Sequence, residues 1–126
     1  MDDRSAVVVI GGMEYAMTLT TRATKEIAAR YGGLQDLGEK LMQSENFEQA
    51  IGEIVWLITL LANQSIQIHN FKNPEDQKAL LTEETVELLT TPYDLAEYKS
   101  AIMAAMQRGT KRNVESEDTP KNAKVE

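Results

Sequence analysis

At 126 residues the chain has room for one domain around a single modest core, and its 42% hydrophobic and 26% charged residues suit an ordinary folded domain. Cysteine is absent, which excludes disulfides, thiolate metal sites and a cysteine nucleophile, and is compatible with a reducing cytoplasm without establishing one. The formal net charge is −7, and in 110–126 four bases (Lys111, Arg112, Lys121, Lys124) balance four acids (Glu115, Glu117, Asp118, Glu126), so the excess lies in 1–109. An acidic body repels phosphate backbones and argues against nucleic acid as the partner.

The acidic start Met1-Asp2-Asp3-Arg4 is unlike a secretory signal, and Ala6 to Ile10 is too short for a signal's apolar core. Ser5 to Ile10 is apolar and β-branched, Glu14 to Leu19 alternates, and Gly11-Gly12 between them tolerates the positive φ angles of a primed hairpin turn. An isolated hairpin is marginal, so this one must pack on the following helices or on another chain. Thr20-Thr21 offers an N-cap, Ala23, Ile27 and Tyr31 recur at helical spacing, and Gly32-Gly33 ends that helix.

Leu34, Leu37 and Leu41 suggest a second, short helix, weakened by Gly38 and broken at Ser44-Glu45-Asn46, with Ser44 capping the next. A long helix follows from about Phe47 to about Asn70. Its stripe of Phe47, Ala50, Ile51, Ile54, Val55, Ile58, Leu61 and Ala62 is widened by Trp56, Leu57 and Leu60 until the middle is apolar nearly all round. Its apolar run, Ile54 to Ala62, falls well short of the ~20 residues that cross a bilayer, so it reads as a core helix.

Pro74 to Lys78 is a loop. Thr82 then caps a short helix with Glu83 and Glu84 at its positive end, and Leu81 is placed to staple against Val86. Thr90-Thr91-Pro92 stops that helix and starts another, with Thr91 as cap and Pro92 at the first helical position. This last helix carries Leu95, Tyr98, Ile102 and Met106 on one stripe and is expected to end near Gly109. From Thr110 only Val114, Ala123 and Val125 are apolar, too few to offset ordering, so 110–126 is expected to be a disordered tail or linker. The fold expected is mainly α with a short N-terminal β-hairpin (α+β): a single domain over 1–109, with about five helices around a central apolar one.

Chemistry is sparse. His69, the sole histidine, stands at the end of the core helix without a cysteine to partner it, and suits a cap better than a general base. The pairs Glu45/Glu48, Glu83/Glu84 and Glu117/Asp118 read as solvated or dipole-favoured carboxylates. No zinc, calcium-loop or phosphate-loop spacing occurs, so no catalytic, metal or cofactor residue is assigned, and the chain is read as a non-enzyme.

Two features favour interaction. The chain holds six methionines, and Met103 and Met106 share the last helix with Tyr93 and Tyr98; such residues either fill a core or line an adaptable peptide-binding face. On the second alternative, the partner-binding groove lies between the last helix and the short Thr82 helix, lined by Leu88, Leu89, Tyr93, Tyr98, Met103 and Met106. The hairpin edge is the other feature: it can pair with a neighbouring copy into a homo-oligomer unless a loop covers it.

Taken in order, the elements over roughly 6–108 resemble the tail assembly chaperones of long-tailed bacteriophages and prophages. The likeness lies in the strand-turn-strand Val7-Val8-Val9-Ile10-Gly11-Gly12-Met13-Glu14-Tyr15-Ala16-Met17 and in a threonine-capped helix ending in Tyr31-Gly32-Gly33-Leu34. It continues through the long helix around Trp56, Leu81-Thr82-Glu83-Glu84-Thr85-Val86-Glu87-Leu88-Leu89 and a closing amphipathic helix. The resemblance implies a protein of the bacterial host cytoplasm, with no membrane role. It would bind the tape-measure protein, keep that long hydrophobic chain soluble while tail-tube protein assembles around it, and be absent from the finished virion. In this family a ribosomal frameshift often yields a second, C-terminally extended product, and 110–126 would suit a linker toward such an extension. The family carries no invariant binding residue to transfer. A structural tail component or a prophage adaptor acting through the hairpin edge is the alternative; a DNA-binding regulator is disfavoured by the acidic body.

Overall fold

The computed structural model describes residues 5–33 and 47–118. Strands β1 (Ser5–Ile10) and β2 (Met13–Thr18) form an antiparallel hairpin, followed by helices α1 (Thr21–Tyr31), α2 (Phe47–Lys72), α3 (Glu83–Leu89) and α4 (Pro92–Asp118). Four helices are therefore seen among the described residues, against about five expected. The short helix expected over 34–41 and its Ser44 boundary lie outside the described residues.

The hairpin register places Ile10 opposite Met13, Val8 opposite Tyr15 and Ala6 opposite Met17. Gly11 and Gly12 have φ angles of 60° and 83°, the pair of positive values that a type I′ turn requires and that other residues resist. Ala6, Val8, Ile10 and Met17 turn inward and are buried, whereas Val7 and Val9 face out.

α2 packs chiefly on β2, and α4 packs on β1 and α2 alike, so the hairpin roofs a core whose centre is α2. Leu57, Ile58, Leu61 and Ala62 of α2 and Ile102 and Ala105 of α4 are fully buried there. By length and composition Ala50–Lys72 would also suffice to span a membrane, with a mean hydropathy of 1.3. In this fold its apolar centre is covered by the hairpin and the other helices.

Thr20, Thr82 and Thr91 cap α1, α3 and α4. Thr20 and Thr82 each accept a backbone N–H three residues on, and Thr91 forms a reciprocal box with Asp94. Gly32 closes α1 in the left-handed region at φ 96°. α1 is held to α2 where Arg30 lies over the Trp56 ring, 4.4 Å from its centroid, and both Arg30 and Tyr31 donate to Glu53.

The far end of α4 departs from expectation. The helix passes through Gly109 and continues to Asp118. A glycine weakens a helix by about 1 kcal/mol but does not end one that is held by packing, and Gly109 is buried against Leu19. Of the tail expected to be disordered, 110–118 are helical and 119–126 lie outside the described residues.

Candidate protein-interaction site

The two-residue turn dictates where the hairpin's backbone groups point. In such a hairpin the pair flanking the turn, Ile10 and Met13, exchanges ladder hydrogen bonds, and every second pair does the same. Val8–Tyr15 and Ala6–Met17 are then bonded pairs, while Val7, Val9, Glu14 and Ala16 direct N–H and C=O away from the partner strand. Two long-range contacts agree with this parity. The Tyr98 hydroxyl on α4 donates to the outward carbonyl of Val9, and Ser65 Oγ on α2 donates to that of Ala16 at 2.7 Å.

One outward carbonyl on each edge is thus held by a helix side chain. Among the described residues no hydrogen bond engages the outward N–H and C=O of Val7 or the N–H of Val9. These groups open onto a cleft of about 390 Å³ between β1 and α4, whose walls include Val7, Val9, Leu89, Asp94 and Glu97. Tyr98 forms part of the wall, and its phenol is pushed above the usual value of 10.0 by burial first, then by the nearby Asp94 and Glu97 carboxylates.

Three of the exposed apolar side chains belong to the α3–α4 junction, while Phe71 at the end of α2 and Leu80 in the loop before α3 are exposed as well. Leu88 and Tyr93 are each 75% exposed and Leu89 is 51% exposed, all at the α3–α4 junction. Leu89 lies against the hairpin turn, its Cδ1 2.8 Å from where a Cβ on Gly11 would sit, and it shares the cleft with exposed Val7 and Val9. Single exposed apolar residues are ordinary; several large ones close together make a candidate interaction surface.

The six residues expected to line a groove therefore divide. Leu88, Leu89 and Tyr93 are surface groups. Tyr98 and Met106 are corrected to core residues, each only 6% exposed, because they share the buried stripe of α4 with Leu95 and Ile102. Met103 is half-buried and packs against that core. The expected groove between α3 and α4 is a smaller hollow of about 260 Å³ walled by Ile51, Val55, Glu87, Pro92 and Leu95, and none of the six lines it. Val7 and Val9 were missed; their alternation with Ala6, Val8 and Ile10 about a two-residue turn is the signal that places them together on the outer face.

His69 is occupied structurally. Its Nε2 lies 2.9 Å from the Asp76 carbonyl and 3.1 Å from Asp76 Oδ2, while Asn73 contacts its Nδ1 and its carbonyl. The imidazole thus ties down the chain leaving α2. In comparisons with known protein families, curated protein sequences and solved structures, nothing matches this chain.

Proposed function

We propose that this chain is a tail assembly chaperone of a long-tailed bacteriophage or prophage, binding the tape-measure protein and keeping it soluble in the host cytoplasm while the tail tube forms. The observation that supports this reading is the apolar surface of Leu88, Leu89 and Tyr93 beside the hairpin turn. An amphipathic client helix can bury its apolar stripe on such a surface. The net charge of −7 then disfavours self-association and keeps the loaded complex in solution. Several copies along one long client add avidity without any one contact being strong. The role is binding, without a chemical step.

A second reading, a small structural tail component or prophage adaptor, is favoured by the open edge of β1. Co-expression with the large helix-rich reading frame adjacent to its gene, pull-down and size-exclusion chromatography test the first. A soluble complex with several copies per client supports the chaperone. A client that precipitates while this chain elutes alone overturns it, and recovery of the chain in purified particles favours the structural component.

A further inference from the structure

We propose that the cleft between β1 and α4 is an edge-strand acceptor: it takes an extended peptide segment that pairs with the backbone of Val7 and Val9 and sets a lysine or arginine against Asp94 and Glu97. This goes beyond the chaperone reading and stands on different observations, namely the direction of backbone groups and the charge of one wall.

The direction comes from hairpin parity. The Val7 N–H and C=O and the Val9 N–H face away from β2, and among the described residues none has a hydrogen-bond partner. An exposed strand edge of this kind is a template for an added strand, with main-chain hydrogen bonds supplying affinity and side-chain contacts supplying choice. The Tyr98 hydroxyl already occupies the Val9 carbonyl. The added strand is therefore centred on Val7, where both backbone groups are open.

The charge selects the occupant. Among the described residues, Asp94 and Glu97 are the only charged ones lining the cleft. Asp94 Oδ2 serves the Thr91 cap, whereas among the described residues Glu97 forms neither a hydrogen bond nor an ion pair. A second copy pairing edge to edge would bring the same two carboxylates to the seam and join two bodies of charge −7, opposing like with like. A basic segment instead finds complementary charge beside the open backbone, with Val7, Val9 and Leu89 available to its alternate side chains.

The test uses the full chain and an end-blocked, fluorescently labelled octapeptide alternating valine and lysine, with a valine–glutamate octapeptide as control. Anisotropy reads affinity at moderate salt, and backbone amide shifts read location. The expected result is binding of the lysine peptide alone, with shifts concentrated at Val7, Val9 and the first turns of α4. Glu97→Lys, at an exposed position, should weaken binding by roughly tenfold or more. Val7→Pro removes the outward N–H while sparing the ladder within the hairpin and should abolish binding; should it fail to fold, Glu97→Lys and the shift map carry the test. No binding, equal binding of both peptides, shifts scattered over the acidic surface, or an unchanged affinity in Glu97→Lys overturns the proposal. So does a concentration-dependent dimer that covers the β1 edge. Loss of the tape-measure interaction alone leaves it standing.

Discussion

Gly109 and Leu19 meet so closely that a Cβ on Gly109 would lie 2.7 Å from the Leu19 Cβ. The contact seats α4 against the end of β2, and the Leu19 Cβ, fixed to a buried backbone position, cannot swing aside as the end of a long side chain would. Gly109→Ala should therefore lose about 1–3 kcal/mol to overpacking, although alanine is the better helix former by about 1 kcal/mol. Gly52, on an exposed face of α2 with nothing within 4 Å of its would-be Cβ, supplies the control. Gly52→Ala should gain about 0.5–1 kcal/mol. Urea denaturation of the two variants should show shifts of opposite sign; stabilisation by both would contradict the close contact.

Tyr98 joins α4 to β1 through the Val9 carbonyl, and Tyr98→Phe should lower stability by about 1 kcal/mol at neutral pH. The same residue contributes to alkaline sensitivity. Burial, then Asp94 and Glu97, raises its folded-state pKa above 10.0, so the folded protein holds this proton more tightly than the unfolded chain. That contribution is fully present below pH 10.0 and is lost as pH rises through the folded pKa. Denaturation midpoints measured from pH 7 upward should show the advantage over Tyr98→Phe shrinking on the alkaline side; an advantage that grows there would refute the assignment.

The parts of the fold visible in sequence are those written by neighbouring residues. Gly11-Gly12 between two strand patterns specifies the turn, and Thr20, Thr82 and Thr91 each cap a helix through a contact three residues away. Periodicity likewise placed Leu95, Tyr98, Ile102 and Met106 on one stripe, and all four are buried. For Tyr98 and Met106 that stripe, rather than the chemistry of their side chains, decides burial. What local pattern could not reveal depends on distant partners. Gly109 reads as a stop until Leu19 is beside it, and no local pattern sets Leu89 against Gly11.

Asn63 is one such long-range residue. Its side chain accepts from the Leu81 N–H at 2.8 Å and donates to the Leu81 carbonyl at 2.9 Å, standing in for a neighbouring strand and fixing the segment that leads into α3. Asn63→Ala abandons both groups and should cost about 1–3 kcal/mol. Asn63→Asp keeps the acceptor, loses the donor, and should also destabilise. Hydrogen exchange at the Leu81 amide discriminates further: exchange should accelerate in the alanine variant and remain slower in the aspartate variant. Equal protection in all three proteins would show that this clamp does not hold the loop.

The α3–α4 junction separates binding from stability. Leu88 and Tyr93 are each 75% exposed, so Leu88→Ser and Tyr93→Ser remove little packing and should each shift stability by no more than about 0.5 kcal/mol. If this surface holds the apolar face of a client helix, the double variant should bind the client at least roughly tenfold more weakly, since large apolar anchors carry most of such an interface. Met106→Ser should do the reverse, because its side chain lies in the core: unfolding comes first, and any loss of binding follows from it. Measuring denaturation midpoints and client pull-down on the same preparations distinguishes the cases. A stable double variant that retains its client would place the interface elsewhere, whereas collapse of that variant would mean the junction supports the fold.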